Sequence, residues 1–321
     1  MKTIIKDLFR FEKTPRRGLI LAEWVMLGYL LLTLLVVLFC YTKVQNPEAM
    51  IWGRIRVLAT TLLMWGAYRL LPCPAVMLLR VGVQLALLSW WYPDTYEINR
   101  MLPNLDHLFA AWEQQLFGFQ PALLFSQALP GAVFSELMDL GYTSYFPMIA
   151  VVTLFFFFFR RESFEKAAFI ILGAFFIYYV VFDFVPVAGP TFYYAAVGVD
   201  DIARGVFPNV YDYFNHCQEC LPSPGYTDGV FYQLVEDTKA AGERPTAAFP
   251  SSHVGVSTLL MWMVGKAGGK RLLLVMLPFY VLLCLATVYI QAHYAIDALA
   301  GFVSGTILFW LLYAIYPRDR K

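Results

Sequence analysis

Two histidines and an aspartate are the residues of this chain best suited to chemistry. His253 closes the run Phe249-Pro250-Ser251-Ser252-His253, and His293 opens the run His293-Tyr294-Ala295-Ile296-Asp297. An aspartate four residues on can reach a histidine across one helical turn. Bonded to one ring nitrogen, it leaves the other as a free lone pair and stabilises the cation formed on attack. His293 thus reads as a nucleophile on phosphorus, with Asp297 orienting it. His253 is the second player, able to protonate a leaving alkoxide. Ser251 and Ser252 precede a helix start, where hydroxyls and free N–H groups can cradle an anion. The cation is expected from Arg244 first, with Lys239 and Arg204 behind it. A lone interfacial histidine is more often a cap than a catalyst. Here two of only four histidines fall beside matching partners, which favours function.

The elements that position this set are apolar. The histidines are 40 residues apart; at about 1.5 Å per helical residue that is roughly 60 Å, two crossings of a hydrocarbon core about 30 Å thick. Both histidines therefore return to one membrane face. Composition agrees: 321 residues, 60% hydrophobic, 17% aromatic and only 15% charged describe a polytopic membrane protein. A net charge of +1 makes no electrostatic case for nucleic acid.

In chain order, a basic lead (Lys2, Lys6, Arg10, Lys13, Arg16, Arg17) precedes a first span at 19–41, too long for a signal-peptide core. Pro72-Cys73-Pro74 splits the next apolar region into spans at 57–71 and 75–92, where Arg69 and Arg80 blur the count. Leu105, Leu108, Phe109, Trp112, Leu116 and Phe119 recur at helical spacing with Asp106, Glu113, Gln114 and Gln115 on other faces, an amphipathic helix lying in the interface. Asp106 and His107 read as its surface. Spans follow at 141–159, 166–185, 254–268, 272–292 and 295–316. The fold class expected is all-α: a polytopic helical membrane protein of about eight transmembrane helices, six of them a catalytic core, with one interfacial helix. Residues 1–92 form a basic N-terminus and three leading spans, and 93–321 the catalytic membrane domain. The N-terminus, the 160–166 and 266–271 turns and the C-terminus (Arg318, Arg320, Lys321) are basic. The positive-inside rule puts them in the cytoplasm and the histidines on the non-cytoplasmic face, in a plasma or secretory-pathway membrane.

Lesser candidates carry structural alternatives. Gly189-Pro190 with Tyr193 and Tyr194 could shape a headgroup pocket or be an ordinary loop. Asp183 could bond a polyol headgroup, with a structural role favoured. Cys217 and Cys220, beside His216, lack an evident fourth metal ligand and read as a short-loop disulfide or two free thiols.

The runs FPSSH and HxxxD resemble the second and third signature motifs of the type 2 phosphatidic acid phosphatase superfamily. AAFPSSHVGVS, YIQAHYAIDALAG and FVPVAGPTFYY resemble the branch containing inositol phosphorylceramide synthases, with sphingomyelin synthases more distant. The resemblance spans roughly 95–316 and implies a phosphohistidine at His293, orientation by Asp297, leaving-group protonation by His253, and no metal or other cofactor. The superfamily's first motif, Lys-x6-Arg-Pro, is missing, since Lys239-x4-Arg244-Pro245 is two residues short. Thr287 stands where the superfamily has an arginine six residues before the third-motif histidine. Fewer cations suit a phosphodiester monoanion better than a monoester dianion.

The function expected is transfer of a phospho-headgroup, phosphoinositol-like, from a phospholipid donor to a lipid alcohol such as ceramide. The alternative is a lipid phosphate phosphatase with water as acceptor. A non-catalytic lipid-binding or transport protein is a third reading, disfavoured by the intact His253, His293 and Asp297. The partners are membrane lipids; oligomeric state is not legible.

Overall fold

The computed structural model describes residues 7–317; the basic residues Lys2, Lys6, Arg318, Arg320 and Lys321 lie outside them. The described chain is helical throughout, without strands. Three leading helices, α1 (Leu21–Phe39), α2 (Pro47–Leu70) and α3 (Pro74–Asn99), are followed by short α4 (Asp106–Phe117) and α5 (Pro121–Ala128). Next come α6 (Ala132–Thr143), α7 (Tyr145–Phe159), α8 (Phe164–Phe184), α9 (Pro190–Val197), α10 (Val199–Ala203) and α11 (Val230–Gly242). The chain ends on α12 (Ser252–Lys266), α13 (Lys270–Tyr289) and α14 (Ala295–Ile315). Five helices are long and apolar enough to cross a membrane: α1, α3, α8 with the turn before it, α13 and α14. The pair α6–α7, bent by 46°, makes a sixth. Helix α2 carries Arg54, Arg56 and Arg69, and α12 has only 15 residues, yet both pack within the same bundle. The protein is an all-α polytopic membrane protein.

Helix α8 is the hub. Of its 21 residues 15 are buried, and it packs against α1, α3, α7, α12 and α14. The leading helices are joined to one another, and to α8, through polar contacts that a hydrocarbon setting makes costly to leave open. Arg80 pairs with Glu23 with both side chains fully buried. Arg54 makes a two-pronged pair with Asp94, 2.7 and 3.1 Å, and donates to Thr33. Asp183 accepts from Tyr29 at 3.1 Å, which is a structural use. Arg80, which blurs the span count in sequence, is a buried paired residue, whereas Arg69 is exposed and donates to the Arg17 carbonyl.

The closest helix contact is α12 against α14. A Cβ on Gly301 would lie 2.5 Å from the Ser251 carbonyl oxygen, and one on Gly305 would lie 2.2 Å from that of Gly255. Gly255 itself is covered by the Tyr178 hydroxyl, which bonds Ser304. Small residues four apart permit this backbone approach, which membrane helices use in place of a hydrophobic driving force. Gly305→Val should therefore force the helices apart and lower stability by about 1–3 kcal/mol, seen as a lower melting temperature in detergent. Gly66→Val, where a side chain meets nothing within 4 Å, should leave that temperature nearly unchanged.

Candidate functional site

The serine-histidine run forms the start of α12. Ser251 is its N-cap, and its buried hydroxyl accepts from the Val254 N–H at 3.4 Å. The Ser251 N–H donates to the Asp297 carbonyl at 3.0 Å, joining this helix start to that of α14. Two residues on, the His253 ring lies on Tyr142, with centroids 4.7 Å apart and planes 25° apart, and beside Tyr145 at 4.4 Å. The Tyr145 hydroxyl donates to the Ser252 carbonyl at 3.4 Å. The bent α6–α7 pair thus supplies an aromatic wall for His253.

His293 sits in the turn between α13 and α14. Its N–H donates to the Thr287 carbonyl at 2.9 Å, and two residues earlier Gln291 takes the left-handed conformation at φ 64°. A non-glycine residue there costs of the order of 1–3 kcal/mol and persists only when its surroundings hold it; the Gln291 carbonyl is held by the Thr191 N–H at 2.9 Å. The His293 ring bridges the two motifs. Its Nδ1 lies 2.8 Å from the Ala248 carbonyl oxygen, and its Nε2 lies 3.4 Å from His253 Nδ1. A carbonyl only accepts, so Nδ1 carries the proton and Nε2 presents the lone pair. Asp297 Oδ2 is 3.8 Å from Nδ1, beyond hydrogen-bond length, and accepts instead from the Tyr294 N–H at 2.9 Å. The i, i+4 bond expected from sequence is not made because α14 begins at Ala295, after the histidine. Asp297 acts on the ring as a nearby charge, and Ala248 is the direct acceptor. Burial lowers the His293 pKa from 6.5 to about 4, so the ring is neutral at physiological pH.

Helix α4 holds this turn in place with two carboxylates. Asp106, fully buried, accepts from the N–H groups of Ala188 at 2.7 Å and Gly189 at 2.8 Å, from Asn104 at 2.6 Å and from the Tyr294 hydroxyl at 3.1 Å. The surface position expected for Asp106 is therefore wrong: it is a clamp between two loops. Glu113, two turns along, is also fully buried and accepts from the Ala295 N–H at 2.5 Å, at the start of α14. Leu108, Trp112 and Leu116 on the opposite face are exposed. The helix is amphipathic, but its inner face carries Asp106 and Glu113 together with Phe109 and Ala110, and Gln115 faces outward. That orientation suits lipid outside and a polar site inside.

Glu243 is a residue the motifs did not disclose. It follows α11, ten positions before His253, and its carboxyl lies within electrostatic reach of His293; burial raises its pKa. No spacing rule links it to the histidines.

His253, His293, Asp297, Ser251 and Ser252 are thus brought together. Arg244 is not: it is exposed and donates to Gln218 at 2.9 Å. Lys239 pairs with Glu236 at 3.1 Å, and Arg204 with Asp201. Tyr193 is fully buried among apolar residues and donates to the Pro208 carbonyl at 2.8 Å, while Tyr194 bonds Gln120. Gly189, at φ 92°, has a structural reason for its identity: a Cβ would lie 2.8 Å from the Ala292 carbonyl oxygen. Cys217 and Cys220 are unpaired thiols. Among the described residues no group of three histidines, cysteines or carboxylates could hold a metal ion.

Removing Asp106 strands three or four donors, at about 1–3 kcal/mol each. Asp106→Ala should lower the melting temperature far more than Asp106→Asn, which keeps an acceptor. Burial raises the Glu113 pKa from 4.5 to about 8. A carboxyl raised in the fold favours folding most fully below its unfolded pKa, and that contribution is lost as pH rises through the folded value. Thermal stability should therefore fall from about pH 4.5 to about pH 8 and level off above it, and Glu113→Gln should flatten that fall in a melting series across the same range.

The arrangement is suited to nucleophilic attack by a neutral imidazole on an electrophile entering between the two rings, with a second imidazole for proton transfer. Residues 107–311, more than half of the chain, match the family model described as the PAP2 superfamily. No curated protein and no solved structure matches the chain. Phosphatases and phosphotransferases make up that superfamily. With both of its histidine motifs meeting in one site, the chain belongs to the PAP2 superfamily.

Proposed function

We propose that the protein is an integral-membrane lipid phosphotransferase. It moves a phospho-headgroup, phosphoinositol-like, from a phospholipid to a lipid hydroxyl such as that of ceramide, through a phosphohistidine on His293. The observation that carries this reading is the His293–His253 pair, with Nε2 facing Nδ1 at 3.4 Å and His293 Nδ1 held by Ala248. At that distance the rings are in contact, so the phosphoryl group enters only as they separate. His293 Nε2 attacks phosphorus and the P–O bond to the diacylglycerol oxygen breaks. His253, entering the step as the imidazolium, gives that alkoxide its proton and is left neutral. The positive charge on the His293 ring is stabilised by Asp297, 3.8 Å away, and by Glu243. In the second half His253 takes the proton of the acceptor hydroxyl, whose oxygen displaces His293 and restores the free ring.

The choice of a diester donor over a monoester rests on charge. Arg244, Lys239 and Arg204 are bonded elsewhere, so none of these cations is placed to neutralise a phosphate at the histidine pair. Without these cations at the site, a monoanion is tolerated far better than a dianion. Hydrolysis of a lipid phosphate shares the first covalent step and differs only in the acceptor.

In mixed micelles of phosphatidylinositol, purified protein should form a phosphoinositol-ceramide only when ceramide is present, read by mass spectrometry. Release of phosphate from phosphatidic acid regardless of ceramide would favour the phosphatase instead. His293→Ala should abolish turnover and the acid-labile phosphoenzyme in either case. With His293 lowered to about 4, the free base persists below neutrality, so the nucleophile's acid limb in kcat/KM should lie near pH 4, not near 6.5.

The basic turns support an active site on the non-cytoplasmic face. In a background without other cysteines, Val230→Cys should label with an impermeant reagent in intact cells; labelling only after permeabilisation would reverse the topology.

A further inference from the structure

A groove lies toward the Lys266 end of α12, away from the histidines. It runs between α12, α13 and α14 and has a volume of about 480 Å³, within the range of about 300–1,000 Å³ usual for small-molecule sites. Trp262, Leu273, Leu277, Phe302 and Trp310 wall it, and Lys266 stands at one end. Its inner end is closed by Thr258 and Tyr280, whose hydroxyls bond each other at 2.9 Å. The walls are preset. Trp262 donates to Thr306 at 3.2 Å and stacks on Phe309 with planes 12° apart. The Lys266 ammonium lies 5.5 Å from the Trp310 ring centroid and 5.7 Å from that of Tyr313.

Charge says what the groove takes. Lys266, Lys270 and Arg271 are exposed around its Lys266 end. Arg160 joins them by donating to the Ala267 carbonyl at 3.0 Å. Among the described residues, no carboxylate forms an ion pair with Lys266, Lys270, Arg271 or Arg160. An apolar slot running along membrane helices and ending in unneutralised cations matches one molecule, an acyl chain carrying an anionic phosphate headgroup. We propose that this groove binds an anionic glycerophospholipid from the leaflet opposite the histidine pair, with an acyl chain against Trp262 and Phe302 and the headgroup phosphate on Lys266. The site is separate from the reaction centre, yet its walls are the three helices that carry His253, the His293 turn and Asp297. Thr258 is only five residues beyond His253.

The test uses the tryptophans in the groove and does not depend on activity. Full-length protein is placed in phosphatidylcholine nanodiscs containing either dibromo-acyl phosphatidylglycerol or dibromo-acyl phosphatidylcholine, and tryptophan quenching is titrated. The groove signal is the part lost in a Trp262→Phe/Trp310→Phe variant. That part should show a preference for the anionic lipid, and Lys266→Gln should reduce the preference about fivefold, one lysine's contribution near a membrane surface. Equal quenching by both lipids, unmoved by Lys266→Gln, would overturn the proposal and leave ordinary boundary lipid. Absence of any groove signal, with cross-linking from position 262 to another polypeptide, would overturn it in favour of a protein helix seated there.

Discussion

The approach of α12 to α14 at Gly255, Gly301 and Gly305 is the constraint on which the site depends. Without side chains at these positions, the Ser251 N–H reaches the Asp297 carbonyl and the two helix starts share one level. His293 can then bond Ala248, upstream of one helix, while its other nitrogen meets His253 inside that helix. A side chain at Gly301 or Gly305 would separate the histidines while leaving each motif intact in sequence. In a bilayer this contact has no hydrophobic driving force behind it, so its closeness rests on packing and on the backbone bonds it permits.

Around that crossing the polar groups form two systems with different work. Near the leading helices, Arg80–Glu23 and Arg54–Asp94 tie α1, α2 and α3 to one another, and Tyr29–Asp183 ties α1 to α8. Near the histidines, Asp106 and Glu113 bond backbone N–H groups of the loops that frame His293. Asn99 connects the two, bonding both the Phe182 carbonyl and Thr246. Thr246 is two residues before the carbonyl that sets the His293 tautomer. The leading helices are therefore coupled to the reaction centre through a short chain of hydrogen bonds.

The electrostatic character of the site follows from the same packing. Carboxyl groups, not cations, are the titratable neighbours of the histidine pair, since Arg244 turns to Gln218 and Lys239 to Glu236.

Much was legible before folding because it depends on local quantities. Apolar length and helical rise identify six of the eight crossings expected, counting the bent pair as one, and 40 residues between histidines return them to one face. The spacing of Leu108, Trp112 and Leu116 shows the amphipathic helix, and the motif residues themselves suggest phosphoryl chemistry. Other features arise only from how helices dock. In a membrane, apolar side chains face both lipid and core, so periodicity could not say that Asp106 and Glu113 point inward. The acceptor for His293 is a backbone carbonyl, which every residue carries and no motif can mark. Arg244 and Tyr193 have suitable chemistry and position along the chain, but their side chains are spent on Gln218 and Pro208. Residue types and spacing thus determined which groups could react; the tertiary structure alone decided which of them meet, because partners are chosen by approach in space and not by distance along the chain.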